Sequence, residues 1–268
     1  MNQLQANFNT PHPVALVTGS GAPRVGQVIA KHLAGLGCNV ALHANQSLKD
    51  AELAAKQMTE RYQIQSMVVQ GDLENPDQAE AIVDDVAQHF GRIDILINSA
   101  AIWHPTRLED VTNEELLRYY KINTLACWLT SRAAGLLMTK QDSGGCIVNL
   151  GDWATERPYL DHAAYFPSKG GIDTMTRSLA VELGHRNPKV RVNCIKPGPV
   201  LLADQVDEQQ REKIAKSTLV KRVGTAEHIA HAVQFLCEND FMTGGLIPVD
   251  GGRSVYAPDG LQVGMNTG

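Results

Sequence analysis

Val14-Ala15-Leu16-Val17-Thr18-Gly19-Ser20-Gly21-Ala22-Pro23-Arg24-Val25-Gly26 reads as a strand, a tight turn and the start of a helix. The unbroken apolar run suits a parallel strand buried on both faces. Glycines at the turn allow a sharp reversal and let backbone N–H groups at a helix start approach an anion closely. In this strand–turn–helix setting, Gly19, Val25 and Gly26 are candidates for cradling the pyrophosphate of a dinucleotide.

Working outward, short β-rich runs alternate with longer helical patterns. The strand candidates are Val14–Thr18, Asn39–His43, Ser66–Gln70, Ile93–Ile97, Cys146–Leu150, Val190–Ile195 and Leu246–Val249. Between them lie helical stretches Val25–Leu36, Leu48–Arg61, Pro76–Phe90, Asn113–Met138, Ala163–Gly184 and Ala226–Glu238. Asn75-Pro76 reads as a helix start, and Gly37 and Gly91 as helix ends. Such alternation implies an α/β fold: one Rossmann domain, doubly wound, with a seven-stranded parallel sheet and helices on both faces. Its expected span is residues 13–252, preceded by a flexible leader (1–12) and followed by a tail (253–268). The polar stretch Val200–Leu219 breaks the pattern and is either a flap over a site or a surface excursion.

The chain has 268 residues, 43% hydrophobic and 20% charged, with net charge -5. That is ordinary soluble-protein composition with no basic block, which argues against nucleic acid or an anionic membrane as partner. Cys38, Cys127, Cys146, Cys194 and Cys237 sit in apolar runs without metal-ligand spacing. Buried thiols and no metal site are expected, in keeping with a cytoplasmic protein. The leader carries no secretory signal pattern.

Where the second strand ends, an acidic residue for a ribose 2′-hydroxyl is missing, and Asn45-Gln46-Ser47 stand instead. Arg24 in the turn can reach a 2′-phosphate, with Asn45 and Ser47 donating hydrogen bonds, so the expected cofactor is NADPH. Tyr165 and Lys169 fall one helical turn apart and project from the same face. The ammonium there is expected to bring the phenol pKa down toward working pH, making an acid/base for a carbonyl or imine. Asp152 lies thirteen residues before Tyr165.

Taken together, these motifs resemble the short-chain dehydrogenase/reductases from about Val14 to Gly252. The resemblance also rests on Asp72-Leu73, Asn98-Ser99-Ala100, Asn123, Pro197-Gly198 and Val249-Asp250-Gly251-Gly252. It implies hydride transfer from a nicotinamide cofactor, with Tyr165 as proton donor and Lys169 holding the nicotinamide ribose. It further implies that Asn123 positions a relay water, Asp72 (with Leu73) contacts the adenine, and Asn98 and Ala100 line the cofactor channel. The segment Pro197-Gly198-Pro199-Val200 would close over the nicotinamide. A homotetramer is implied too, with Asn113–Met138 and Ala163–Gly184 as its main contact and the C-terminal strand region as a second.

Three departures from the family pattern stand out. Gly19 and Gly26 are seven positions apart, a turn one residue longer than usual. Leu202 stands where many members carry a threonine, and Asp152 where most carry a serine. The aspartate is similar to that of the pteridine reductase branch, including dihydromonapterin reductases. Asn98-Ser99-Ala100-Ala101-Ile102-Trp103 and Asp152-Trp153-Ala154-Thr155-Glu156-Arg157 resemble that branch as well, as do Arg24-Val25-Gly26 and Lys216-Ser217-Thr218-Leu219. The implied substrate is a pterin-like heterocycle stacked on Trp103 and touched by Arg24, Asp152 and Tyr165. Asp152 suits a C=N bond, whose nitrogen must be protonated as hydride reaches the adjacent carbon. The alternatives are a carbonyl reductase and a non-catalytic NADP-binding regulator. His104 and His162 are expected to be solvated.

Overall fold

Val14, Ala15, Leu16 and Val17 are all buried, and the strand they form stands inside the sheet with a neighbour on each side. The strands are β1 (Val14–Val17), β2 (Asn39–Ala44), β3 (Ser66–Gln70), β4 (Ile95–Asn98), β5 (Gly145–Leu150), β6 (Val190–Pro197) and β7 (Leu246–Val249). They run parallel in the order β3-β2-β1-β4-β5-β6-β7. The computed structural model describes residues 2–202 and 206–256.

The helices are α1 (Gln3–Asn7), α2 (Val25–Gly35), α3 (Leu48–Tyr62), α4 (Pro76–Phe90), α5 (Asn113–Tyr119), α6 (Ala126–Met138), α7 (Tyr165–Arg186), α8 (Glu208–Lys216) and α9 (Ala226–Glu238). Side chains of α1, α2, α3 and α9 share one core with the sheet. Those of α4, α6 and α7 share the other. The sheet is thus covered on both faces, which is why its central strands carry no polar alternation. Asn75 caps α4 as its sequence suggests, its Oδ1 accepting from Asp77 N at 3.0 Å, with Pro76 in the first turn.

Strand order reverses between β1 and β4, and every parallel strand ends at the same edge of the sheet. A crevice therefore opens outside the carboxyl ends of β1 and β4. The turn after β1, the Asn45–Ser47 segment after β2, Asp72 after β3, Ser99–Trp103 after β4, Asp152 after β5 and Gly198 after β6 all emerge there.

Two expectations need correction. The leader is not loose: Asn2 and Gln5 cap α1 reciprocally, each backbone N–H donating to the other's side chain at 2.9 Å. Leu4 and Phe8, four residues apart, are buried, and Asn7 Nδ2 donates to the carbonyls of Cys237 and Glu238 at the end of α9. Burial of two large apolar side chains outweighs the polar composition of the segment. The single helix expected over Asn113–Met138 is interrupted by a π-helical turn at Tyr120–Leu125. The polar stretch after Val200 lies over the crevice; residues 203–205 fall outside the described residues, and Asp207 caps α8, its Oδ1 accepting from Gln210 N at 2.7 Å. Of the tail, residues 253–256 pack beside the crevice and the rest lies outside the described residues.

Candidate active site

The crevice holds a cavity of about 870 Å³ running from the β1–α2 turn to Tyr165. Its walls include Gly19, Arg24, Val25, Gly26, Asn45, Gln46, Ser47, Asp72, Leu73, Ala100, Trp103, Asp152, Tyr165, Lys169, Pro197 and Gly198, all expected from the sequence. Gly19 has φ +65°, and a Cβ there would stand 2.7 Å from the Cα of Ala100. A Cβ on Gly26 would stand 2.8 Å from the carbonyl oxygen of Gly19. Both glycines are therefore required by conformation or contact.

His43, near the end of β2, was not foreseen. Gly19 N donates to His43 Nδ1 at 3.0 Å, so Nε2 carries the proton and donates to Gly71 O at 3.0 Å. Burial holds its pKa below the usual histidine value, and the neutral ring fixes the turn. The signal for it was a polar residue inside an otherwise apolar strand.

At the other end of the cavity, Asp152 follows β5 and Tyr165 opens α7. Tyr165 Oη donates to Asp152 Oδ2 at 2.7 Å, while Asp152 Oδ1 accepts from Ala154 N at 2.8 Å. The carboxylate is thereby held in one orientation by the chain and by the phenol. Lys169 is buried, and its Nζ donates to the carbonyl of Leu150 at 2.8 Å.

These contacts reverse the expected electrostatics of the phenol. Burial, then the charge of Asp152, then the hydrogen bond to it, push the Tyr165 pKa well above the usual phenol value. Ionising the phenol would place two anions 2.7 Å apart in a poorly solvated site. The ammonium does not reverse this, since it is directed at Leu150 O and burial lowers its own pKa. The protein by itself keeps Tyr165 protonated.

Three expected site residues stand behind the wall instead of in it. Asn98 is buried, with Nδ2 donating to Ser131 Oγ at 2.8 Å and Asn149 Oδ1 at 2.9 Å, and Oδ1 accepting from Thr130 Oγ1 at 2.7 Å. It buttresses the strand end from which Ser99 and Ala100 reach the cavity. Asn123 is buried in the π turn; its Oδ1 accepts from Ile102 N at 2.9 Å and its Nδ2 donates to Ile102 O at 3.1 Å and Ser168 Oγ at 3.0 Å. With its side chain engaged in this way, Asn123 ties the loop before Trp103 to α7. Val200 packs on the core, and Pro199, Leu201 and Leu202 face the cavity.

Trp103 is 43% exposed, and its Nε1 donates to Tyr159 Oη at 3.2 Å. His162, expected in solvent, is buried instead: its ring stacks on Trp103 with centroids 4.7 Å apart, and its Nδ1 meets Leu160 O at 2.9 Å. Burial against Trp103, Tyr159 and Phe166 follows from the loop folding back over the start of α7. Tyr159, Trp153 and Arg253 complete this end of the cavity. Tyr159 and Arg253 come from loops without periodicity, which pattern reading does not reach, while Trp153 opens a 3-10 turn in the stretch whose resemblance was noted without a role for this residue.

The cavity suits a nicotinamide dinucleotide. The N-terminus of α2 has no side-chain cap, so among the described residues the N–H groups of Val25 and Gly26 are available to an anion beside the two constrained glycines. Sheet order, switch-point crevice and the Tyr165–Lys169 pair define a nicotinamide-dependent oxidoreductase. Residues 22–254 match the family model described as Enoyl-(Acyl carrier protein) reductase, and the chain belongs to the short-chain dehydrogenase/reductase family. Pteridine reductase 1 of Leishmania tarentolae is 32% identical over 285 residues, covering 91% of this chain and 96% of its own. Versicolorin reductase 1 of Aspergillus parasiticus is 31% identical over 265 residues, covering 93% and 99%. The 3-oxoacyl-[acyl-carrier-protein] reductase of Rattus norvegicus is 30% identical over 237 residues, covering 88% and 96%. These relatives act on different substrates at nearly equal similarity, so the site itself must discriminate.

Proposed function

We propose that the protein reduces the C=N bond of a dihydropterin-type heterocycle with NADPH. The observation that carries this reading is the Asp152 carboxylate at 2.7 Å from the Tyr165 phenol, in place of a serine hydroxyl. A ketone oxygen needs a donor beside the phenol, and a carboxylate offers only acceptors. A pteridine offers ring nitrogens and an amino group that suit such an acceptor. Trp103 supports the reading by presenting an aromatic face at the cavity. NADPH is favoured because Arg24, Asn45, Gln46 and Ser47 line the end where a 2′-phosphate would lie.

When bound, the nicotinamide supplies the hydride. Trp103 and Tyr159 hold the flat substrate, since transfer needs reacting atoms within about 3–3.5 Å. Tyr165, kept protonated by its surroundings, gives its proton to the ring nitrogen as electron density builds there. A proton from solvent replaces the one that leaves, restoring the single proton that the phenol shares with Asp152, so that the two oxygens do not stay charged together. Lys169, close enough to Asp152 to feel its charge, adds positive potential to the pair.

The test is a substrate panel followed by loss of nicotinamide absorbance, using NADPH and NADH in parallel. Dihydropterins should be reduced with NADPH preferred at least tenfold, and Asp152→Ser should cut pterin turnover about 100-fold or more. Wild-type pterin turnover in Asp152→Ser would defeat the reading, and equal use of both cofactors would defeat the Arg24 and Ser47 assignment. Turnover of ketones or 3-oxoacyl thioesters alone would favour carbonyl reduction, the reading that the versicolorin and 3-oxoacyl reductases support.

A further inference from the structure

Directly after Gly251-Gly252, Arg253 lines the cavity beside Asp152, Trp153 and Tyr159. Its guanidinium carbon lies 4.4 Å from the centre of the Trp153 ring. The backbone that presents it is fixed at several points. Asp250 accepts from Gly252 N at 2.9 Å and Ser254 N at 2.6 Å, and Arg157 Nη1 donates to Arg253 O at 2.8 Å. Among the described residues the guanidinium makes no hydrogen bond and no ion pair. It is partly buried, and it carries five donors in a planar fork. A guanidinium held over an indole in a cavity, with its donors unused, is prepared for a planar pair of acceptors.

We propose that Arg253 selects the substrate by reading two adjacent acceptors on one edge of a flat molecule. In a pterin these are the two lone pairs of the 4-oxo oxygen, which leaves the imine nitrogen to Tyr165; in a carbonyl substrate they are the two oxygens of a carboxylate. The first source rests on the pterin reading above, and the second does not. In either case Arg253 sets which substrate is held at the Asp152–Tyr165 pair, and Trp153 sets the plane of the fork.

The experiment compares Arg253→Met and Arg253→Lys with wild type, in the full chain with NADPH. Titration uses two probes, 7,8-dihydropterin and a 2,4-diaminopteridine in which an amino group replaces the 4-oxo acceptor. Arg253→Met should weaken dihydropterin binding by about 10- to 100-fold and raise its KM by a similar factor, with kcat changed only a few-fold. Diaminopteridine and NADPH affinity should be nearly unchanged. Arg253→Lys should recover little, because an ammonium does not reproduce the fork. Equal weakening of both probes would make Arg253 a structural support only, and no weakening of dihydropterin would likewise overturn the proposal. If wild type binds neither pteridine, the pterin reading fails and the proposal is judged on aromatic carbonyl compounds with and without a ring carboxylate. Arg253→Met must then abolish a preference for the carboxylated member, and absence of that preference in wild type overturns the proposal.

Discussion

Asp152 and Tyr165 show how far residue-level reading reaches and where it stops. Their offset in sequence was enough to place a carboxylate near a phenol, and the two oxygens meet at 2.7 Å. The direction of the phenol pKa was not legible, because it depends on burial and on where the Lys169 ammonium points. Asn98 and Asn123 likewise carry the right residue types for a site, but their partners come from α6, β5, the Trp103 loop and α7, which no local pattern reveals. The electrostatics lead to a pH prediction. Tyr165 acts with its proton on, so kcat/KM falls as pH rises through the phenol pKa. Since that value lies above the ordinary 10.0, wild type should show no alkaline limb attributable to this phenol below about pH 10. Asp152→Asn removes the negative charge that contributes to the rise. The limb should therefore move to lower pH in the residual activity of the variant, and a limb that stays or moves upward would remove Asp152 as a cause.

Elements were more legible than side-chain roles. All seven strands were expected within a few residues of where they lie, because an apolar run between turn signals has few other solutions. The π turn at Tyr120–Leu125 was invisible, since one extra residue in a helical repeat barely alters the apolar stripe. Helix α1 was missed for a different reason: Leu4 and Phe8 are spaced for one helical face, but two apolar residues in a polar stretch are a weak signal. The packing of Phe8 is nonetheless specific. It is 3% exposed, and its carbonyl accepts from Arg92 Nη2 at 2.9 Å. Phe8→Ala should lower stability by roughly 3–5 kcal/mol, read as a lower denaturant midpoint at unchanged slope. An unchanged midpoint would restore the view of residues 2–8 as a loose leader.

At the scale of the molecule, the two helical layers differ in what they leave uncovered. Sequence reading placed both layers correctly but treated their outer faces only through family resemblance. On the layer built from α4, α6 and α7, Leu136 is exposed on α6 and Val181 is 71% exposed on α7, while Leu117 is exposed on the adjoining α5. On the far side of β6, Phe241 before β7 is 98% exposed. Helices α5 and α7 also position the loop and the phenol of the site, so a partner covering them would stiffen the catalytic end as well as bury apolar area. We propose a homotetramer with α5–α7 as the principal contact and the β7 region as the second, in line with the family. Wild type should sediment at four times the chain mass. Val181→Asp combined with Leu136→Asp should halve that mass or reduce it further, because a charge buried at each symmetric contact is left without a partner. Phe241→Asp should separate dimers that still retain the α5–α7 contact. A wild-type monomer at micromolar concentration, or a tetramer that survives both sets of changes, would show that these faces serve another purpose.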